Sequence, residues 1–567
     1  MRKYFRVVPV VLLAGLSVIA GAQSPAPGES HARELQRQQQ RERALRGQNE
    51  PEADVRLNQP DSVAKAESIP TEETPCFPIR EILLEGEEAH RFRWALKAAD
   101  PAEDPATGHC LGTAGINIVM ERVQNAIIAR GYVTTRVLAA PQDLNSGTLT
   151  LTLVPGRISE IRFADGTDPR ANFRNALPAE TGELLNLRDI EQGLENFQRV
   201  PTVAADIRIA PADRAAGPGK SNLLIAWEQP SLVRTSVSLD DSGSESTGKL
   251  QAGATLSVDN GWMLNDLFYI NLGHSVFNGG GKSTDNWTAH YEVPYGYWLW
   301  GTTVSSYDYR QTVVGPYASY TYSGTSRNAE LRASRLLFRD ADSKTGAYAR
   351  GWWRKSHSFI DDTRILAQSR RTAGWEAGFT HKQFWGAATL NASLAYRRGT
   401  GALGAQPAPE ENFGEGTSRM KMITASARLD LPFRIGRRQL RYNGSWRAQW
   451  NRTRLVPQDR FAIGGRYTVR GFDGETTLTA ERGWLLRNEL SLVLGGGQQV
   501  YLGLDYGRIA GPAADWQLGN ELAGAALGLR GGWGRFRWDT FAGTPIEKPR
   551  GFPASGISAG FSMNASF

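Results

Sequence analysis

The sequence predicts two small α+β repeats followed by an all-β transmembrane barrel of about 16 antiparallel strands, with a polar helix ahead of both. Three observations carry this. A β-α-α-β-β element order occurs twice in succession before Pro230. Beyond Pro230 helical patterns stop and period-2 alternation begins, with large aromatics on one strand face and arginines on the other. The chain then ends in an alternating strand that finishes on Phe567.

Met1–Ala22, "MRKYFRVVPVVLLAGLSVIAGA", has a basic start, a short apolar centre and a small-residue exit. These are the three parts of a secretory signal peptide, and the run is short of the ~20 residues that a bilayer-spanning helix needs. No later run reaches that length, and mean hydropathy is −0.40. The 61 glycines, 16 Trp, 17 Tyr and 21 Phe stand against six Met, a composition suited to many strands with aromatic faces. The net charge of +7 is spread along the chain and gives no nucleic-acid signature.

Residues 23–74 are polar. "HARELQRQQQRERALRGQ", His31–Gln48, reads as a helix with five Arg, two Glu and few apolar positions. It lacks a face that could pack on a core, so it is either a solvated tether or a helix for a wet, polar site; the stretch to Pro75 reads as a linker. Cys76 and Cys110 are the only two cysteines. In an exported chain they pair as a disulfide closing one small domain, the alternative being two buried thiols.

From 75 to 156 the elements are "FPIREILLEGE" (strand), "FRWALKAA" and "INIVMERVQNAIIARGY" (helices), and "VTTRVLAA" and "GTLTLTLVPG" (strands). The order restarts over 157–230 with "ISEIRFAD", "PRANFRNAL", "LNLRDIEQGLENFQRV", "VAADIRIAPA" and "SNLLIAWEQ". Two units of one order, roughly 75 residues each, make an internal repeat. Over 231–567, "LQAGATLSV" places Leu250, Ala252, Ala254, Leu256 and Val258 on one face. In "LRYNGSWRAQW", Leu440, Tyr442, Trp446, Ala448 and Trp450 oppose Arg441, Asn443, Ser445, Arg447 and Gln449. Lipid outside and water in a lumen impose that split. With strands of ~10 to 13 residues the segment accommodates about 16, and a closed barrel leaves no edge in lipid.

Together these parts resemble the two-partner secretion transporters, the TpsB proteins of the haemolysin or filamentous-haemagglutinin secretion/activation type (ShlB/FhaC/HecB). The repeats resemble POTRA domains, and the final strand with its terminal Phe567 resembles the insertion signal of outer-membrane barrels. Local signatures agree: "LNLRDIEQGLENFQRVP", "LDDSGSESTGKLQAG", "PYGYWLWG" and "VRGF". The resemblance implies an outer-membrane location with the POTRA domains in the periplasm. It also implies a long loop after the eleventh strand, about 453–483, folded back into the lumen with Val469, Arg470, Gly471 and Phe472 at its tip. The wall partner implied for Arg470 is Asp505 in "YLGLDYGRI", with Gly503 and Gly507 on the same face. The helix bearing Arg33, Arg37 and Arg41 is implied to plug the pore at rest.

The implied function is recognition and export of a large secreted exoprotein (TpsA class: haemolysin, adhesin or contact-dependent toxin). Its secretion domain would be captured by the POTRA pair through strand addition or an inter-domain groove. Outer-membrane lipid and lipopolysaccharide, and the barrel-assembly machinery during biogenesis, are the other partners expected of a monomeric chain. An outer-membrane assembly or insertase factor of the BamA kind is the alternative; it usually carries more POTRA units and no plug helix. "GSESTGK", Gly243–Lys249, fits a phosphate loop but lacks the following Ser/Thr and lies between strands, so it reads as a hairpin turn. No catalytic motif appears, and the seven histidines have no ligand spacing. No enzyme activity, cofactor or metal is expected.

Overall fold

The structure is a computed structural model that describes residues 27–50, 53–57, 68–213, 217–314 and 317–567. The expected signal peptide lies outside the described residues. The dominant element is a closed barrel of sixteen strands, every neighbour antiparallel. The first strand, Val233–Asp240, pairs with the last, Ser558–Ser566. Phe567 completes closure, its N–H donating to the Thr235 carbonyl (2.7 Å) and its own carbonyl accepting from Thr235 N–H (3.1 Å).

Alternation explains which side of each strand meets which medium. In Gln251–Asp259, Gln251, Thr255, Ser257 and Asp259 are buried inward, whereas Ala254 and Leu256 are exposed on the outside. The outer surface carries Trp287, Trp298, Trp300, Leu331, Trp375, Phe379, Leu502 and Leu527, all exposed in the bare chain. That apolar exterior belongs against hydrocarbon. Among the described residues no helix is long and apolar enough to cross a membrane. Strand lengths depart from the expected 10 to 13: Ser319–Arg339 has 21 residues and Thr363–Trp385 has 23. These two strands carry Tyr320, Thr321 and Arg364 at one end and Arg339 and Lys382 at the other, so pairing continues past the apolar band on both sides.

Two small α+β units precede the barrel. In the first, Glu81–Gly86 pairs in parallel with Thr148–Val154, which pairs with Arg136–Leu138. Behind them stand α2 (Ala89–Phe92), a 3-10 turn (Arg93–Ala98) and α3 (Thr113–Ala129), while α1 (Pro27–Asn49) lies ahead of both units. Ile118, Val119, Val123 and Ile127 of the α3 stripe are buried in one core with this sheet, and Ile128 is buried as well. The Glu73 carboxylate accepts from Gly112, Ala114 and Gly115 N–H at the start of α3, where orphan donors and the helix dipole favour an anion. Cys76 and Cys110 form a disulfide with Cα atoms 5.3 Å apart.

The second unit has the strands Arg157–Phe163, Lys220–Glu228 and Ala204–Pro211 with α4 (Leu187–Gln198) packed on them. Its expected first helix, at Pro169–Leu177, is absent; the segment is turns. The reason is docking. The Asn172 and Asn175 side-chain amides donate to the carbonyls of Met263, Leu264 and Pro294 in the barrel's near-side turns, and the Asn265 amide donates back to the Asn172 carbonyl. Backbone satisfied by a neighbour no longer needs a helical ladder.

Candidate functional site: a plugged lumen and its wall clasp

α1 lies inside the barrel. It extends the expected helix at its start, and its residues touch several wall strands and the in-folded loop. His31 Nδ1 is 2.9 Å from the Tyr309 hydroxyl, and Tyr307 Oη donates to Glu34 (3.0 Å). Arg41 reaches Gln251 (2.9 Å) and Arg46 reaches Glu330 (3.2 Å). Arg33 and Arg37 donate to the carbonyls of Glu475 and Gly474 in the in-folded loop. Leu35 is the large apolar anchor, buried among Tyr307, Tyr309 and Tyr322. The "GSESTGK" turn also folds toward α1, with Thr247 Oγ1 donating to Glu34 and Glu245 N–H donating to Glu475.

The loop between the eleventh strand (Arg438–Asn451) and the twelfth (Arg482–Gly495) enters the lumen and forms a hairpin, Phe461–Ile463 against Leu478–Ala480. At its tip Arg470 and Asp505 meet in a bidentate pair. Nε donates to Oδ2 at 2.7 Å, Nη2 to Oδ1 at 2.8 Å, and the Arg470 N–H to Oδ2 at 3.0 Å. Both side chains are nearly sealed from solvent. A planar guanidinium matched to a carboxylate fixes direction as well as distance.

The remaining Arg470 donors find Glu489 (Nη1 to Oε2, 2.7 Å) and the Asn488 carbonyl (3.1 Å), and Glu489 is shared with Arg530. Val469 and Phe472 flank the pair in an apolar cluster with Ile463, Leu485 and Ile509. Phe472 meets Phe552 edge to face with ring centroids 5.9 Å apart.

Glycines make the approach possible. Gly471 has φ +99°, and a Cβ there would lie 2.4 Å from the Thr544 carbonyl oxygen. On Gly503 a Cβ would sit 2.5 Å from the Arg470 guanidinium carbon, and on Gly507 it would press on Ile463 and Val469. Two further glycines on the next strands escaped the motif reading. A Cβ on Gly524 would fall 1.9 Å from the Arg470 carbonyl oxygen, and one on Gly543 2.9 Å from Gly471 N. Glu489 was missed as well. The signal available for all three was alternation: each lies on the inward face of its strand.

A second junction joins the barrel to the second α+β unit. Arg339, at the end of the sixth strand, pairs with Glu191 and Glu195 of α4 at 2.9 Å each, buried on both sides. The same carboxylates accept the N–H groups of Val55 and Leu57, so residues 53–57 run as an extended strap over α4. Asp54 in that strap is held by Lys344 (2.8 Å) and Lys382 (2.7 Å). These paired cations pull the Asp54 carboxyl below its ordinary range against the opposing push of burial.

Comparison with known proteins agrees with this architecture. The family model described as haemolysin secretion/activation protein ShlB/FhaC/HecB matches residues 219–531. The model for the ShlB-type POTRA domain matches 77–156, and a further POTRA domain model matches 157–211. The chain is 34% identical to the outer membrane transporter CdiB-2 of Burkholderia pseudomallei (strain 1026b), with all of both chains covered. It superposes on the solved structure of CdiB from Acinetobacter baumannii with a TM-score of 0.82 at 29% identity, covering 96% of this chain and 100% of that one. For CdiB from Escherichia coli the TM-score is 0.80 at 27% identity, covering 97% and 100%. The barrel is therefore an outer-membrane barrel with its POTRA domains on the periplasmic side, and the chain belongs to the ShlB/FhaC/HecB family of haemolysin secretion/activation proteins, the two-partner secretion transporters.

Proposed function

We propose that this chain exports one large exoprotein of the TpsA class from the periplasm to the cell surface through its own barrel. The observation that carries the proposal is α1: a polar helix fills the lumen and is held there mainly by hydrogen bonds. In a wet lumen each such bond, most of them made by an arginine or a carboxylate, exchanges for water at a net cost of about 1.5–3 kcal/mol. A segment held this way can leave, whereas one buried by apolar packing cannot.

The POTRA pair (75–156 and 157–230) captures the unfolded cargo's secretion domain, α1 withdraws along the strap of 53–57, and cargo passes through the barrel (231–567). The VRGF tip stays clasped to Asp505 and keeps the wall from collapsing inward. Folding of the cargo outside supplies direction, and no catalytic step is assigned to the chain. Lipid and lipopolysaccharide cover the apolar exterior, the assembly machinery reads the strand ending at Phe567, Met1–Ala22 directs export, and the chain works as a monomer.

The test is co-expression with a candidate large secreted exoprotein of the TpsA class. Export that depends on the transporter supports the proposal. Absence of export, with loss of the transporter depleting other barrels from the outer membrane, refutes it in favour of an assembly role.

A further inference from the structure

Among the described residues, one group of three side chains offers ligand atoms close enough together to share a metal ion: Glu50, His290 and Glu292. They come from different bodies. Glu50 follows the last residue of α1, and His290 and Glu292 lie two apart on the inward face of the strand Ser283–Tyr295. His290 is 5% exposed. Its Nδ1 lies 2.8 Å from the Thr303 hydroxyl, while its Nε2 is buried without a hydrogen-bond partner. That nitrogen faces a Glu50 oxygen and a Glu292 oxygen, each 3.6 Å away.

The spacing decides between two accounts. At 3.6 Å neither contact is a hydrogen bond. Two donors that share a tetrahedral ion at 2.0–2.1 Å stand roughly 3.3 Å apart, close to what is found here. In the tautomer that carries its proton on Nδ1, which the Thr303 hydroxyl can accept, the Nε2 lone pair points between two carboxylate oxygens. Three acceptors converge on one point, which a cation satisfies and a neutral arrangement does not.

The outer contacts fit as well. Tyr269 Oη donates to Glu50 Oε1 (2.9 Å) and stacks on the His290 ring, and Arg199, at the end of α4, donates to Glu292 Oε1 (2.6 Å). These are the orienting bonds that metal-ligating carboxylates carry. Spacing along the chain could not reveal the set, because Glu50 joins the other two only when α1 enters the lumen.

We propose that Glu50, His290 and Glu292 form a site for a borderline divalent transition-metal ion of the Zn²⁺ type, completed by water, which fastens the periplasmic end of α1 to the barrel wall beside the second POTRA domain. One histidine with two carboxylates suits such an ion better than Ca²⁺ or Mg²⁺, which prefer all-oxygen shells. The fastening role rests on the reading of α1 as a removable plug; the binding itself does not.

The experiment uses the full chain purified in detergent without a histidine tag and stripped with chelator. Calorimetric titration with Zn²⁺ is expected to give one saturable equivalent, weakened at least tenfold by Glu50→Gln and by His290→Gln. His274→Gln, at an exposed His–Asp pair on the outer surface, should leave that equivalent in place. Glu50 lies outside every barrel strand, so Glu50→Gln keeps the barrel folded, checked by its heat-modifiable migration. No saturable binding, or binding that survives Glu50→Gln or disappears with His274→Gln, overturns the site. In planar bilayers Zn²⁺ should lower the open fraction of the wild-type channel, reversibly with chelator, and leave Glu50→Gln unaffected. Binding without that effect overturns the fastening role and leaves the export reading standing.

Discussion

Replacing Arg470 by Ala isolates the energetics of the clasp. Asp505 is completely shielded and accepts three donors from Arg470, two of them from the guanidinium. Glu489 keeps Arg530 after the substitution, so the loss falls on Asp505. Removing one partner of a buried pair costs about 3–5 kcal/mol, chiefly because the other charge is stranded. Arg487, 3.7 Å from Asp505, offsets part of that, which places the expected cost near the lower bound, about 3 kcal/mol. At roughly 1.4 kcal/mol per decade, the undocked loop should become about a hundredfold more populated.

The assay is trypsin cleavage of the loop on intact cells, at sites such as Arg460 and Arg466. When opening is fast relative to cleavage, the rate follows the open population. Arg470→Ala should therefore be cut about a hundredfold faster, while Arg470→Leu with Asp505→Leu together should recover most of the protection because no buried charge is left. An unchanged rate in folded Arg470→Ala, or a double variant cut as fast as the single one, would refute the reasoning.

Further outcomes follow from the same geometry. Gly524→Ala should dislodge the tip as Arg470→Ala does, since the added Cβ meets the Arg470 carbonyl at 1.9 Å; Gly351→Ala, where an added Cβ meets nothing and the backbone is ordinary, is the control, read by the same protease assay. Cys76→Ser removes a closure over a sequence separation of 34, which should cost the first POTRA domain about 4 kcal/mol, seen as a lower periplasmic unfolding transition with the barrel transition unmoved. Asp189 of α4, bonded by Tyr297 Oη, has its carboxyl pushed up to about 6 by burial. Because the folded state holds that proton more tightly than the unfolded chain, the contribution of Asp189 to stability is full below about pH 4. It should fall as pH rises from about 4 to about 6, a slope that thermal unfolding should show and Asp189→Asn should abolish.

The barrel was readable in the sequence because each strand repeats one constraint, apolar out and polar in, often enough to overcome weak local signals. The clasp was readable because Val469–Phe472 and Gly503, Asp505 and Gly507 are contiguous or nearly so. Glu489, Gly524 and Gly543 were not, since their role depends on strand register across four neighbouring strands, which no single stretch encodes. The first helix of the second POTRA unit was misjudged because Asn172 and Asn175 spend their amides on barrel turns, a tertiary preference that overrides local periodicity. The strap at 53–57 looked like a linker for a similar reason: its backbone bonds go to Glu191 and Glu195, far along the chain.

The most direct test of the central claim, a secretion pore closed by its own helix, is to tether that helix in place. Arg41→Cys and Gln251→Cys, at side chains in contact across the lumen, can be joined by a photocleavable bifunctional thiol reagent in cells that co-express the exoprotein. Exoprotein should cease to reach the surface when the link is formed and reach it again when the link is cleaved. Export that continues at the wild-type rate through the linked barrel would contradict the claim.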